Sequence, residues 1–216
     1  MPDGQYSFYL HSDDRTDIAA MATISTISQP LRGEFIRTAA TAGAVVYQVD
    51  ARLPALIPVF FAGQLSAVRL CAVMALVSGT WSSLTGLPDE PENGEAALPV
   101  SPETEYQRRR YTLTLQNGRS GERVESVLTE ASSRLRGDLL RNLIITGLAL
   151  HTTAPELPRL LASMPVPPTS VSELQALVQQ MAGTADVNRA AAAVPDTPTA
   201  SAAPVSGSDT REIKKN

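Results

Sequence analysis

The 216-residue sequence has little of what most catalytic or metal-binding sites require. It contains one cysteine, Cys71, and two histidines, His11 and His151, which fall in different halves of the chain. A single cysteine excludes an intrachain disulfide and a four-cysteine zinc site, and two separated histidines do not predict a metal cluster. Aromatic residues make up only 5% of the chain, so the core is predicted to consist mainly of Leu, Ile, Val and Ala. Cys71 lies on an apolar helical stretch and is expected in that core.

Patterns that carry catalysis or membrane insertion are also missing. We find no Ser/His/Asp arrangement, catalytic carboxylate pair or phosphate-binding loop, so we expect neither an enzyme nor a cofactor. No charged segment followed by a hydrophobic one opens the sequence, so no secretory signal is predicted. The most apolar stretch, Leu53–Val77, is interrupted by prolines and by Arg69, which favours a hairpin of helices over a membrane span. These features indicate a cytoplasmic protein without a membrane partner.

What the chain does contain is an internal repeat. The segment Leu31–Ile57 returns as Leu135–Leu161 with eight identities in 27 positions. Upstream, Tyr6–His11 corresponds to Tyr111–Gln116, at an offset of 105 instead of 104. Because similar elements recur in the same order, we interpret the pattern as a duplication.

Each copy is predicted to begin with a strand that helices follow. Apolar and polar residues alternate in both strands, which is typical of a half-buried strand. The first helices are predicted at about Asp14–Ile27 and Gly121–Ser132, and the repeated segment begins with the second helix. Gly43 and Gly147 fall inside these second helices, where glycine is unfavourable, so we expect close helix contacts there.

Composition divides the chain into four segments. Residues 5–79 and 108–183 are the two repeats. Residues 80–107 have six acidic residues, no basic ones and four prolines, which predicts a flexible acidic linker. Residues 184–216 are rich in Ala, Pro, Ser and Thr and are predicted to be a disordered tail.

Charge follows the same division. Residues 5–78 have five basic and five acidic residues, whereas residues 108–182 have nine and six. The net charge of −4 therefore conceals a basic second repeat. That repeat opens with Arg108, Arg109 and Arg110.

A single short strand needs a partner for its backbone hydrogen bonds. The simplest solution pairs two such strands antiparallel and packs helices behind them, as in the ribbon-helix-helix arrangement. We therefore predict a mainly α fold with short β-strands, built from tandem ribbon-helix-helix units with additional C-terminal helices. The paired strands could come from one chain or from two. A two-stranded ribbon can enter the DNA major groove.

The chain resembles ParR, the centromere-binding adaptor of plasmid partition systems with an actin-like motor. The resemblance rests on basic residues before a short strand, an arginine-containing start to the second helix, and the runs "TAGAVVYQVDARLPALI" (Thr41–Ile57) and "TGLALHTTAPELPRLL" (Thr146–Leu161). It covers both repeats. The second run departs from the pattern at Ala154 and Glu156, where the first copy has Asp50 and Arg52.

The resemblance implies three partners. ParR-like proteins bind repeated double-stranded DNA sites, associate side by side on such arrays, and engage a ParM-type filament through their C-terminal tail; they often repress their own operon. On this basis the expected filament-binding residues are Arg211, Ile213, Lys214 and Lys215.

The candidate DNA-binding residues lie in two places. If Tyr111, Leu113 and Leu115 face the core, then Arg110, Thr112 and Thr114 face the groove, next to Arg108 and Arg109. Arginine can bind guanine, and threonine can contact a base edge or the thymine methyl. The corresponding side chains of the first copy are Ser7 and Tyr9, together with Gln5.

The start of the second helix is the other candidate, because a helix N-terminus can bind phosphate. There the second copy has Ser133, Arg134 and Arg136, and the first copy has Ser28 and Arg32. Ordinary N-capping by serine is an equally good reading of these starts.

Two other functions remain open. One is a tandem ribbon-helix-helix repressor, or a relaxosome accessory protein of conjugation, with no motor partner. The other is an assembly protein that uses its helical repeats without DNA.

Overall fold

The computed structural model describes residues 4–80 and 108–192, and within 184–192 it describes the helix but not the side chains. The described elements are mostly helical and follow one order in both repeats. In the first repeat they are β1 (Gln5–His11), α1 (Arg15–Ser25), a short 3-10 helix (Gln29–Leu31), α2 (Arg32–Val49), α3 (Leu53–Phe60) and α4 (Ala67–Ser78). In the second they are β2 (Arg108–Thr114), α5 (Arg119–Glu130), α6 (Arg136–Thr153), α7 (Leu157–Ser163) and α8 (Val171–Ala192).

The two strands pair with each other within the chain. β1 and β2 form a two-stranded antiparallel sheet, here called the ribbon, in which Ser7 lies opposite Thr112 and Phe8 lies opposite Tyr111. The ladder continues beyond β2, where the Leu115 N–H donates to the Gly4 carbonyl at 3.0 Å. One chain thus supplies both strands that the repeat analysis left to be assigned.

The side chains on the inner face of the ribbon, which packs against the helices, are those that the alternation predicted. Phe8, Leu10 and Leu113 are buried against the helices, and the rings of Phe8 and Tyr111 stack with centroids 5.3 Å apart. Because side chains alternate along a strand, the residues between them point away from the helices. The prediction that Tyr111, Leu113 and Leu115 turn inward is confirmed.

The strand-to-helix turns differ in the two copies. In the first, Asp14 caps α1 by accepting a hydrogen bond from the Asp17 N–H at 2.9 Å. In the second, Gly118 takes the cap position with φ +137°, and a side chain at Gly121 would collide with the Gln116 main chain. The second turn is one residue shorter, which explains the change of offset from 105 to 104.

The helix starts and ends differ by a few residues from the predicted ones. α1 is shorter than the predicted Asp14–Ile27 at both ends, and α5 begins and ends two residues earlier than Gly121–Ser132. α6 ends at Thr153, two residues before Pro155.

The centre of the molecule is the crossing of α2 and α6. A Cβ at Gly43 would overlap the main chain of Leu143, and a Cβ at Gly147 would overlap that of Ala39. Ala39 and Leu143 are themselves equivalent in the repeat, so the crossing has approximate twofold symmetry. The predicted close contact at the two mid-helix glycines is confirmed.

The repeats interlock instead of standing side by side. α2 of the first repeat packs against α7 of the second, and α3 packs against α6. The buried Thr153 hydroxyl donates to the Leu65 carbonyl at 2.7 Å, across the repeat boundary. Most of the apolar core is therefore shared by both copies.

An ion pair joins the two repeats at one side of the ribbon. Arg141 on α6 contacts the Asp17 carboxylate at 2.6 Å and that of Asp14 at 3.3 Å. Asp17 also accepts a hydrogen bond from the His11 N–H at 2.9 Å and is buried. Burial raises its pKa, and the bonds from His11 and Arg141 oppose that rise.

The copies differ at Arg52 and its equivalent Glu156, and the structure shows what Arg52 contacts. Arg52 is held by Asp50 at 2.7 Å and donates to the Val77 carbonyl in the last turn of α4 at 2.8 Å. The hydrogen bond from Arg52 lowers the pKa of Asp50. Glu156 has no guanidinium with which to make such contacts. The helix equivalent to α4, α8, continues to Ala192, past the predicted end of the second repeat at Gly183.

The apolar stretch Leu53–Val77 forms helices α3 and α4, which pack against each other as expected. Cys71 is buried on α4, and burial raises the pKa of its thiol. No helix in the described part of the chain is long and apolar enough to cross a membrane. The predicted acidic linker lies outside the described residues, and so does the predicted tail from residue 193 onward.

Candidate nucleic-acid interface

The ribbon presents a polar surface on the side opposite the helices. We call this surface the outer face; its residues are Gln5, Ser7, Tyr9, His11, Arg108, Arg110, Thr112 and Thr114. The four residues from β2 and Gln5 are exposed, while Ser7, Tyr9 and His11 are partly covered.

The arginines of the outer face are held by neutral partners from β1. The Arg110 guanidinium donates to the Ser7 hydroxyl at 2.9 Å and 3.2 Å. The Arg108 guanidinium lies 3.4 Å from the centroid of the Tyr9 ring, a cation–π contact. Neither of these contacts involves a carboxylate, so neither contact neutralises a guanidinium charge on this surface.

Arg109 is not part of this surface. Alternation along β2 turns it toward the side of Tyr111, and its guanidinium lies 5.2 Å from the centroid of that ring. The position of Arg109 next to two outer-face arginines in sequence explains why sequence analysis grouped all three. Arg109 therefore lies off the outer face, and its role in DNA binding stays a prediction.

Two helix starts flank the ribbon, one at each edge. The start of α6 lies against β1, where a Cβ at Gly137 would be 3.5 Å from the Ser7 carbonyl. Arg136 at this start is near enough to Tyr6 to oppose the rise in its pKa that burial causes. At the start of α2, Arg32 acts in the same way on Tyr111.

Side chains do not cap these two helix starts. The residues at the cap positions are Leu31 and Leu135, and neither helix start has a side-chain cap hydrogen bond. The reading of Ser28 or Ser133 as an ordinary N-cap of the second helix is therefore wrong. Each start leaves backbone N–H groups in its first turn without an intrahelical partner.

Arg32 and Arg136 occupy equivalent positions and make equivalent bonds. The Arg32 Nε donates to the Ile27 carbonyl at 2.8 Å, and the Arg136 Nε donates to the Ala131 carbonyl at 3.2 Å. These bonds hold the turn before each helix. Ser133 and Arg134 are exposed in the turn that precedes α6.

The structure thus brings together most of the predicted site residues and adds His11. His11 belongs to the outer face although sequence analysis gave it no role, whereas Gln5 was named there with Ser7 and Tyr9. The alternation that identified Ser7 and Tyr9 also indicates His11. Arg211, Ile213, Lys214 and Lys215 lie outside the described residues. Among the described residues, no group of three His, Cys, Asp or Glu could hold a metal ion.

Comparison with known proteins adds a family. The model of the family described as plasmid stability protein matches residues 4–74 and again residues 109–178. The chain belongs to the plasmid stability protein family. No curated protein and no solved structure gives a significant match. The two matched segments coincide with the two structural repeats, so each repeat is one copy of the plasmid stability unit. Membership in this family indicates a role in plasmid maintenance.

Proposed function

We propose that the plasmid stability protein described here is a DNA-binding partition adaptor of the ParR type. Its ribbon enters the major groove of double-stranded DNA, several molecules associate on repeated sites, and its C-terminal tail engages an actin-like filament. Bound to its own promoter, it represses its operon. In this proposal the protein is not an enzyme and needs no cofactor.

The observation that carries the DNA-binding proposal is the outer face of the ribbon. It combines two exposed arginines with hydroxyl side chains, and the major groove is wide enough for a two-stranded ribbon. Arg110 and Thr112 lie near its centre, where base edges would be reached.

The flanking helix starts support the same proposal. The N-termini of α2 and α6 lie at the two edges of the ribbon, and each has N–H groups without a side-chain cap. Such N–H groups, together with the partial positive charge of a helix start, bind phosphate well. Phosphate contacts at both edges would fix the ribbon in the groove, while the outer face would read the bases.

The finer assignment, to a ParR-type adaptor, rests on the sequence resemblance. The family match supports a role in plasmid maintenance, and the run containing Asp50 and Arg52 supports the ParR pattern. The filament, the array and autorepression follow from that resemblance alone.

The experiment that tests DNA binding changes the outer face without touching the core. The triple substitution Arg110→Ala, Thr112→Ala and Thr114→Ala should abolish sequence-specific binding to the DNA upstream of the gene, measured by fluorescence anisotropy with specific and random competitor duplexes. Because all three side chains are exposed, the thermal unfolding temperature should stay unchanged.

Arg69→Ala is the matched control, since it removes one exposed positive charge on α4, a helix that packs against α3 and α8. It should keep the specific affinity. If the triple variant binds as tightly and as selectively as the wild type, the ribbon is not the DNA-reading element.

A further inference from the structure

The pairing register divides the outer face into two unlike ends. Ser7 lies opposite Thr112, and these two residues are equivalent in the repeat, so the pseudo-twofold axis passes between them. On one side of this pair Tyr9 faces Arg110, and on the other side Gln5 faces Thr114.

Each end is built from both strands. The arginine end contains Arg108 and Arg110 of β2 with Tyr9 and His11 of β1. The opposite end, which we call the glutamine end, contains Gln5 of β1 and Thr114 of β2, and the exposed Gln116 follows. Neither end belongs to one repeat, because antiparallel pairing brings the beginning of one strand to the end of the other.

The two ends carry different recognition chemistry. A guanidinium is geometrically matched to the O6 and N7 acceptors of guanine, whereas a glutamine amide is matched to N6 and N7 of adenine. The methyl group of a threonine can pack on the methyl group of thymine. Gln5 stands at the position equivalent to Arg110, so pseudosymmetry places an amide where the other end has a guanidinium.

Contacts within the ribbon orient the arginine end. Tyr9 supports the Arg108 guanidinium from 3.4 Å, and Ser7 accepts from Arg110 at 2.9 Å. Thr114, the residue equivalent to Tyr9, has no aromatic ring and so cannot make a cation–π contact. Behind the arginine end, Asp14 and Asp17 are paired with Arg141.

We infer that one chain binds an asymmetric DNA site in a single orientation, with a G·C-containing half under the arginine end and an A·T-rich half under the glutamine end. This inference rests on the proposed function. It adds the base composition of each half-site and the direction in which the protein lies on the DNA. Tyr9 is a positioning residue for Arg108.

The test begins with selection from a library of randomised duplexes by the full-length wild-type protein, followed by sequencing. The selected site should have two unlike halves, one with conserved guanines and one rich in A·T pairs. Exchanging a conserved guanine should weaken binding about tenfold.

Two matched variants then assign the halves. The double substitution Arg108→Gln and Arg110→Gln should remove the guanine preference in one half and leave the A·T half unchanged. Gln5→Ala with Thr114→Ala should do the reverse. Tyr9→Leu should reduce the guanine preference without changing the A·T half.

The outcomes distinguish the asymmetric site from DNA binding itself. A palindromic selected site, or a change in both halves when only the arginine end is altered, overturns the asymmetric reading while DNA binding stands. Selection of no preferred duplex by the wild type overturns the proposed function as well. Separate effects of the two variants on separate halves establish the inference.

Discussion

Ser7 and Thr112, which are equivalent residues of two repeats, lie directly opposite each other in the ribbon. This relationship places the pseudo-twofold axis that relates the two repeats between them. It also explains why the segment occurs twice in one chain, since each repeat has only one strand and a strand needs a partner. The chain is in this sense a dimer of repeats joined by a covalent connection.

The crossing of α2 and α6 predicts a specific effect of glycine substitution. Gly147→Ala should lower the free energy of unfolding by about 2 kcal/mol in urea titration, because the new methyl would press on the main chain of Ala39. The overlap outweighs the gain in helix propensity of about 1 kcal/mol.

Gly183→Ala on α8 is the control. A Cβ there meets nothing within 4 Å, so this variant should be neutral or slightly more stable. A Gly147→Ala protein as stable as the wild type would show that the two helices do not pack this closely.

The ion pair between the repeats predicts a pH-dependent loss of stability. Arg141→Met removes the partner of buried Asp17 and should cost about 3 kcal/mol in unfolding free energy at pH 7. Because burial already raises the pKa of Asp17, loss of Arg141 should raise that pKa further. A carboxyl group whose pKa is higher in the folded state stabilises the fold less as pH rises through the interval between its unfolded and folded pKa values. The cost should therefore be smaller at pH 5 than at pH 7.

Arg37→Met is the matched control, since Arg37 is the equivalent residue in the first repeat. Its partner Glu34 is 64% exposed, so the loss should be below about 1 kcal/mol and nearly independent of pH. Equal costs in the two variants would contradict the structural role given to Asp17.

The end of α8 defines where the tail can be cut. Deleting residues 193–216 leaves every described helix intact and removes Arg211, Ile213, Lys214 and Lys215. The truncated protein should bind DNA like the full chain but should no longer sediment with filaments of a partner actin-like ATPase. The full-length protein serves as the positive control in the same assay. If the full chain does not sediment with filaments and still represses its promoter, the repressor function replaces the adaptor function.

Local patterns in the sequence were sufficient to predict which strand side chains face the core and that the two mid-helix glycines mark a close helix contact. The alternation of Tyr111, Leu113 and Leu115 with threonines depends only on neighbouring residues, so it could be read directly. Gly43 and Gly147 could be interpreted because glycine inside a helix is unfavourable without a packing reason.

The features that were missed depend on pairing between distant residues. The pair Asp17–Arg141 joins positions 124 residues apart, and no local pattern indicates it. The composition of the two ribbon ends depends on register, which the sequence of either strand alone does not determine. Sequence analysis grouped Arg109 with Arg108 and Arg110 because the three are consecutive, although alternation places it on the other side of the strand.

The central claim, that one chain forms the complete ribbon, can be tested by a disulfide at its axis. In a Cys71→Ala background, Ser7→Cys with Thr112→Cys places two thiols in directly opposite positions, where Cα separations suit a disulfide. Oxidation at high dilution should give a monomer with one internal disulfide, detected by mass spectrometry and non-reducing electrophoresis. The single variant Ser7→Cys should stay monomeric. If two chains paired through like strands instead, Ser7→Cys alone would form covalent dimers, and the double variant would crosslink only between chains. That result would contradict the intrachain ribbon.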